Sequence, residues 1–137
     1  MSEMPSVLVV DAEDGFRSVL IRRLQSRGIQ ALGVGLGEEA LELLQTRSVD
    51  VVLLDIKMPK MSGVEFLRRM REQECKAEVI VLSGHVLLDT AVEITDFGVN
   101  DYLLKPCDTE ELMDRITLAH ERKTEREGKN VNGKPSI

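Results

Sequence analysis

The stretch Val51-Val52-Leu53-Leu54-Asp55-Ile56-Lys57-Met58-Pro59 opens with four aliphatic residues and then delivers a carboxylate. Four apolar residues in a row do not alternate as a half-exposed strand would. They fit a short strand buried on both faces of a sheet. Val7-Leu8-Val9-Val10 and Val79-Ile80-Val81-Leu82 are runs of the same kind. Ile29 to Val34 is less uniformly apolar, as an edge strand would be, and Tyr102-Leu103-Leu104 is a shorter candidate closed by Lys105-Pro106.

Segments of helical period separate these runs. Phe16, Val19, Leu20, Ile21 and Leu24 share one broad face, and Gly28 follows as a stop signal. Ala40, Leu41 and Leu44 recur at helical spacing, as do Val64, Leu67 and Met70, and, less cleanly, Leu87, Ala91, Val92 and Ile94. Asp108 is placed to cap a last helix whose inward face is Leu112, Met113, Ile116 and Ala119, with His120, Glu121, Arg122 and Lys123 read as its solvated end. Five strands alternating with five helices predict one doubly wound α/β domain, a parallel sheet covered on both sides, over residues 5–126. The polar residues 127–137 are expected to be a disordered tail.

Composition narrows the function classes. The 137 residues suit one domain, and 42% hydrophobic residues can build its core; aromatics are 3% and Trp is absent, so the core must be aliphatic. A net charge of −6 argues against direct nucleic-acid binding, which favours a basic stripe. Cys75 and Cys107 form no disulfide or metal framework. No run approaches the ~20 apolar residues of a membrane span, and the N-terminus lacks signal-peptide character. A cytoplasmic, non-membrane protein is the expectation.

Open parallel sheets bind ligands beyond the carboxyl ends of their strands. Asp11, Asp55, Ser83 and Lys105 each end a different predicted strand. One Asp after a strand is an ordinary turn or cap residue; four polar residues of these types at one edge suit phosphoryl transfer. A carboxylate can attack phosphorus, other carboxylates attract Mg²⁺, and an ammonium and a hydroxyl can bind phosphoryl oxygens.

The elements Val9-Val10-Asp11, Leu54-Asp55-Ile56-Lys57-Met58-Pro59, Ser62-Gly63, Leu82-Ser83-Gly84 and Tyr102-Leu103-Leu104-Lys105-Pro106 resemble, in order and spacing, the receiver domain of two-component response regulators, the chemotaxis-regulator-like family. The resemblance implies a flavodoxin-like (βα)5 fold with strand order 2-1-3-4-5. It implies Asp55 as phosphoacceptor, Ser83 and Tyr102 as switch residues, and Lys105 as the phosphoryl-pairing lysine, with a cis bond to Pro106. It implies Mg²⁺ held by Asp11, Asp55 and the backbone carbonyl of Lys57. The side chains of Lys57 and His85 stand at positions that tune phosphoryl loss. The implied partners are a sensor histidine kinase or phosphotransfer protein, and a downstream protein bound through the fourth helix, fifth strand and fifth helix. Homodimerisation on activation is open, and no enzymatic turnover beyond self-phosphotransfer and autodephosphorylation is implied.

The sequence departs from that pattern at Ala12, where the family carries a second metal-binding acid. Either Mg²⁺ binds more weakly, or the domain is a degenerate receiver, a phosphorylation-independent protein-binding module. A haloacid-dehalogenase-type phosphatase is a third reading, though Glu13 stands where its second Asp belongs and Asp55 would be unexplained. A flavin carrier lacks its phosphate loop. Met58 and Met61 are expected to pack the loop around Pro59, and Cys107 to be a small buried residue.

Overall fold

The computed structural model describes residues 4–84, 97–127 and 137. In chain order the elements are β1 (Ser6–Val10), α1 (Asp14–Ser26), β2 (Gln30–Val34), α2 (Gly37–Thr46), β3 (Val51–Leu54), α3 (Gly63–Glu72), β4 (Glu78–Ser83), β5 (Val99–Leu104) and α4 (Thr109–Glu127). The helix predicted around Leu87 to Ile94 lies outside the described residues, as does the tail from 128 to 136. The five strands are parallel in the order β2-β1-β3-β4-β5, so the expected topology holds and Gln30–Val34 is an edge. The fifth strand is twice the predicted length, because Val99 and Asp101 pair with Val79 and Ile80 of β4, with Asn100 at a register shift between them.

Strand alternation sorts the aliphatic residues into two layers. Leu8, Val10, Val52, Leu54, Val79 and Val81 face α2 and α3, where Ala40, Leu41, Leu44, Phe66, Leu67 and Met70 meet them. Val7, Val9, Val51, Leu53, Ile80, Leu82 and Leu103 face α1 and α4, against Leu20, Leu24, Leu112, Ile116 and Ala119. A sheet covered on both faces needs apolar residues at consecutive positions, which is why β1 and β3 read as unbroken runs. Met61 is buried in the first layer, as loop packing around Pro59 requires. Val19, by contrast, is exposed at the margin of the α1 face.

Two glycines are dictated by backbone geometry. Gly28 has φ +85°, and the N–H groups of Gly28 and Ile29 donate to the carbonyls of Gln25 and Leu24, which closes α1 with the paired bonds of a left-handed C-terminal stop. At Gly63, a Cβ would stand 2.8 Å from the Cα of Ile56, since the Gly63 N–H donates to the Ile56 carbonyl at 3.0 Å. Ser62, whose hydroxyl accepts from the Glu65 N–H at 3.1 Å, caps α3 beside it. This contact ties the start of α3 to the residue after Asp55.

The far end of α4 is not a solvated end. The stripe Leu112, Ile116, Ala119 continues to Lys123, which is buried and lies 3.3 Å from Asp50; His120 is 3.6 Å from the same carboxylate. Arg126 pairs with the buried Glu78 at 2.9 Å. These contacts close the amino-terminal edge of the sheet, the edge opposite Asp55. No helix among the described residues is long and apolar enough to cross a membrane.

Gly63→Ala is expected to cost about 1–3 kcal/mol of stability, because a rigid backbone atom meets the added methyl. The check is the urea midpoint at unchanged slope; a midpoint equal to wild type would mean that the Ile56 loop yields freely.

Candidate functional site

Sheet register builds the site. Val10 of β1 is partnered with Leu54 of β3, and the N–H of Asp55 donates to the Val10 carbonyl at 3.0 Å. Asp11 and Asp55 therefore leave neighbouring strands at almost the same level. Across β4, Ser83 is partnered with Leu104, and the N–H of Lys105 donates to the Ser83 carbonyl at 3.0 Å. The four strand-end residues singled out in the sequence thus come together at one edge.

Their side chains are in direct contact. Lys105 Nζ lies 2.7 Å from Asp11 Oδ2 and 3.3 Å from Asp55 Oδ2. Ser83, almost fully buried, donates its hydroxyl to Asp55 Oδ1 at 3.0 Å, and the Lys57 N–H donates to the same oxygen at 3.1 Å. The Glu13 N–H donates to Asp11 Oδ1 at 2.9 Å. Every oxygen of the two buried carboxylates is therefore engaged. Burial pulls the Lys105 ammonium down, but the hydrogen bond to Asp11 and the charges of Asp11 and Asp55 outweigh it and hold the group above its ordinary 10.5.

Alternation divides the cluster between the two sheet faces. Ser83 follows Val81 onto the α2/α3 face, and Val81 is the register partner of Tyr102. Tyr102 is half-buried there; burial pushes its phenol up, and its covered hydroxyl finds no hydrogen-bond partner among the described residues. Lys105 continues the β5 alternation onto the α1/α4 face, where its ammonium stands 4.2 Å from the centroid of the Phe16 ring. The Lys105–Pro106 peptide bond is cis.

Three contributors were not legible in the sequence. Phe16 reads as core from its spacing, yet it is also the aromatic floor under Lys105. Arg17 reads as lying outside the helix face, yet it donates to the Asp11 carbonyl at 2.6 Å and holds the turn between β1 and α1. Glu13 approaches Lys105 Nζ to 3.7 Å. Lys57 is an exposed loop residue, Ala12 brings only a methyl group to the edge, and His85 lies outside the described residues. Cys107 is half-buried, not buried as expected; burial, with the charges of Glu111 and Asp108, pushes its thiol up, which disfavours a reactive thiolate.

The donor set at this edge consists of hard oxygen atoms, and two buried carboxylates face a single ammonium. Both properties suit a hydrated Mg²⁺ ion, which takes one or two carboxylates and keeps several waters. Among the described residues no three acidic, His or Cys groups already form a metal cage.

Comparison with known proteins settles what this edge is part of. Residues 7–117 match the response regulator receiver domain model. The chain belongs to the response regulator receiver domain family. This receiver is 37% identical over 112 residues to the regulatory protein AtoC of Escherichia coli, covering 82% of this chain and 24% of AtoC. It is 33% identical over 110 residues to the cell cycle response regulator CtrA of Brucella ovis, covering 80% of this chain and 47% of that protein. The chain thus spans less than half the length of these relatives. Among solved structures, a response regulator receiver protein from Pseudomonas putida is 35% identical, with a TM-score of 0.80 over 86% of this chain and 99% of the other. The receiver domain of a Pseudomonas aeruginosa sensor histidine kinase, described with a magnesium ion in its active site cleft, is 25% identical with a TM-score of 0.78, over 86% and 98% of the two chains.

Lys105→Met is expected to cost about 3 kcal/mol, since it strands two buried carboxylates. Because the folded value of Lys105 is raised, the deficit relative to wild type should hold steady through neutral and mildly alkaline pH, and shrink only as the wild-type lysine deprotonates above 10.5. Urea titrations of both proteins across that range are the check, and adding Asp55→Asn to Lys105→Met should restore part of the loss.

Proposed function

We propose that this receiver accepts a phosphoryl group on Asp55 from the phosphohistidine of a sensor histidine kinase or phosphotransfer protein, and signals through altered protein binding. The observation that carries this reading is the Asp55 carboxylate itself: buried at the sheet edge, with Lys105, Ser83 and the Lys57 N–H all bonded to it. Asp50, at the opposite end of the sheet, has as many donors in Ser6 and Lys123; what sets Asp55 apart is its place at the carboxyl-terminal edge, where parallel sheets bind ligands, beside a second buried carboxylate. Its separate donors can follow bound oxygens once its own charge has moved.

In the proposed step an Asp55 oxygen attacks phosphorus, the new P–O bond forms as the P–N bond breaks, and the electron pair leaves with the imidazole of the donor. Lys105 needs only to move its ammonium from the Asp55 oxygen to a phosphoryl oxygen. The Ser83 hydroxyl exchanges its bond to Asp55 for one to the phosphoryl group, drawing in the end of β4 on the α2/α3 face. Tyr102 stands on that face beside Val81 and is the side chain through which the shift would reach β5. Bound Mg²⁺ would supply charge neutralisation for the transferring phosphoryl group, with Asp11, Asp55 and the Lys57 carbonyl as its protein donors. The Lys57 side chain, exposed next to the site, is placed to influence the attacking water.

Output would use the surface of β5 and the final helix, where Leu104 is 57% exposed on an edge strand. The share of that surface contributed by the fourth predicted helix lies outside the described residues. AtoC and CtrA are named as regulators, so a regulatory output is proposed for the shared segment only. The intact Asp55, Ser83 and Lys105 favour phosphorylation over a degenerate binding module.

Acetyl phosphate with Mg²⁺ should give one base-labile phosphoryl adduct by intact mass, absent in Asp55→Asn. Ser83→Ala should still be labelled but lose the NMR response of Tyr102 and β5. A wild-type chain that takes no label under these conditions is not a phosphoacceptor.

A further inference from the structure

We propose that Glu13 supplies the acidic group that Ala12 lacks, completing the Mg²⁺ site from the first turn of α1. This rests on the receiver reading of the same edge. Two buried carboxylates and one ammonium leave the edge short of positive charge even before phosphorus arrives. They are also one acid short of the set that the sequence pattern leads one to expect, since Ala12 contributes only a methyl group.

Glu13 is held where it can make up that difference. Its N–H donates to Asp11 Oδ1 at 2.9 Å, and its carbonyl accepts the Arg17 N–H at 2.9 Å. The residue is therefore fixed at both ends of its backbone, directly beside a proposed metal donor. It occupies the N-cap of α1 with an extended backbone, φ −82° and ψ 105°, yet its side chain makes no capping hydrogen bond. Glutamate is not among the residues that cap helices well, so the side chain is not drawn back onto the helix's own N–H groups. It leans over the sheet edge, to 3.7 Å from Lys105 Nζ, the cation that Asp11 and Asp55 also contact.

The distance and exposure give the side chain a mobile role. At 3.7 Å the contact with Lys105 is longer than a hydrogen bond, and the Glu13 side chain is 73% exposed, so turning it costs little more than rotamer freedom. Glutamate is one methylene longer than the aspartate expected at the preceding position, and that reach offsets its place one residue along the chain. Glu13 can reach the ion directly or through a metal-held water, because Mg²⁺ keeps several waters.

The test is a Mg²⁺ titration of the full chain followed by ¹H–¹⁵N NMR at the Asp55 and Lys57 amides, with no phosphodonor present. Glu13→Gln is expected to weaken Mg²⁺ binding about tenfold, in the range lost when a supporting group of a metal site is removed. Ala12→Asp should tighten binding, and in that background Glu13→Gln should cost about twofold or less, the non-additivity expected of two groups filling one role. Glu38→Gln, which removes an exposed charge from the first turn of α2, should leave affinity unchanged. The proposal is overturned if Glu13→Gln titrates as wild type, if it loses the same factor in the Ala12→Asp background, if Glu38→Gln matches it, or if the wild-type chain gives no saturable response across the millimolar range. Spectra of each variant without metal establish that the fold is kept. Acetyl phosphate labelling is scored separately: Asp55 labelled with Glu13→Gln silent keeps the receiver reading and removes only the Glu13 assignment.

Discussion

One ammonium shared by two buried carboxylates is the interaction around which this molecule is organised. Lys105 reaches Asp11 and Asp55 from the opposite side of β4, spanning 94 and 50 residues of sequence. Removing ionised carboxylates from water is costly unless they are paired and hydrogen-bonded. Here the pairing is complete in the sense that each oxygen has a donor, but not in charge. That residual negative charge is what makes the edge receptive to a further cation, and what distinguishes a reactive cluster from a structural ion pair. Phe16 under the ammonium and Arg17 on the Asp11 carbonyl hold the cluster on its α1 side without adding a competing anion.

The rest of the fold keeps that edge in register. Parallel strands can bring Asp11 and Asp55 level only if β1 and β3 do not slip, and a one-residue slip would invert both aliphatic layers. The two-sided core therefore sets the geometry of the site as well as the stability of the sheet. At the other edge, Asp50 with Lys123 and Glu78 with Arg126 pin the end of α4 across the strand starts. Those pairs are structural: each links a sheet carboxylate to a cation of one helix.

What was legible in the sequence follows from how local its signals are. Unbroken aliphatic runs identified the strands, and the residue ending each of four runs named the site, because strand termini in a parallel sheet share an edge whatever the side chains between them. Asp50 and Lys123 could not be paired from sequence; they are 73 residues apart, and lysine near a helix end is ordinarily solvated. The double role of Phe16 was hidden for a different reason, since helical spacing reports only that a residue faces inward, not what it meets. The length of β5 was missed because Asn100 and Asp101 are polar; Asp101 pairs with Ile80 while Asn100 falls at a register shift, on an edge strand where side-chain polarity is tolerated.

The division of the cluster across the sheet bears on how a chemical event could become a signal. Lys105 and Asp11 sit with α1, while Ser83 and Tyr102 follow the opposite face, and Asp55 touches both groups. On the α1 side, Lys105 bonds Asp11 as well as Asp55 and lies over an aromatic ring, so it has anchors besides its Asp55 contact. On the other side, the Ser83 hydroxyl donates to Asp55 through a bond worth about 1.5–3 kcal/mol net only while that carboxylate is ionised. Both contacts to Asp55 depend on its charge, and the Ser83 contact is the one that would carry a change to the α2/α3 face. Tyr102 lies on that side, packed against the cluster that includes Val81, and is placed to receive the rearrangement. The asymmetry between an α1 side anchored by Asp11 and a Ser83 side tied to the charge of Asp55 gives the change a direction, toward β4 and β5.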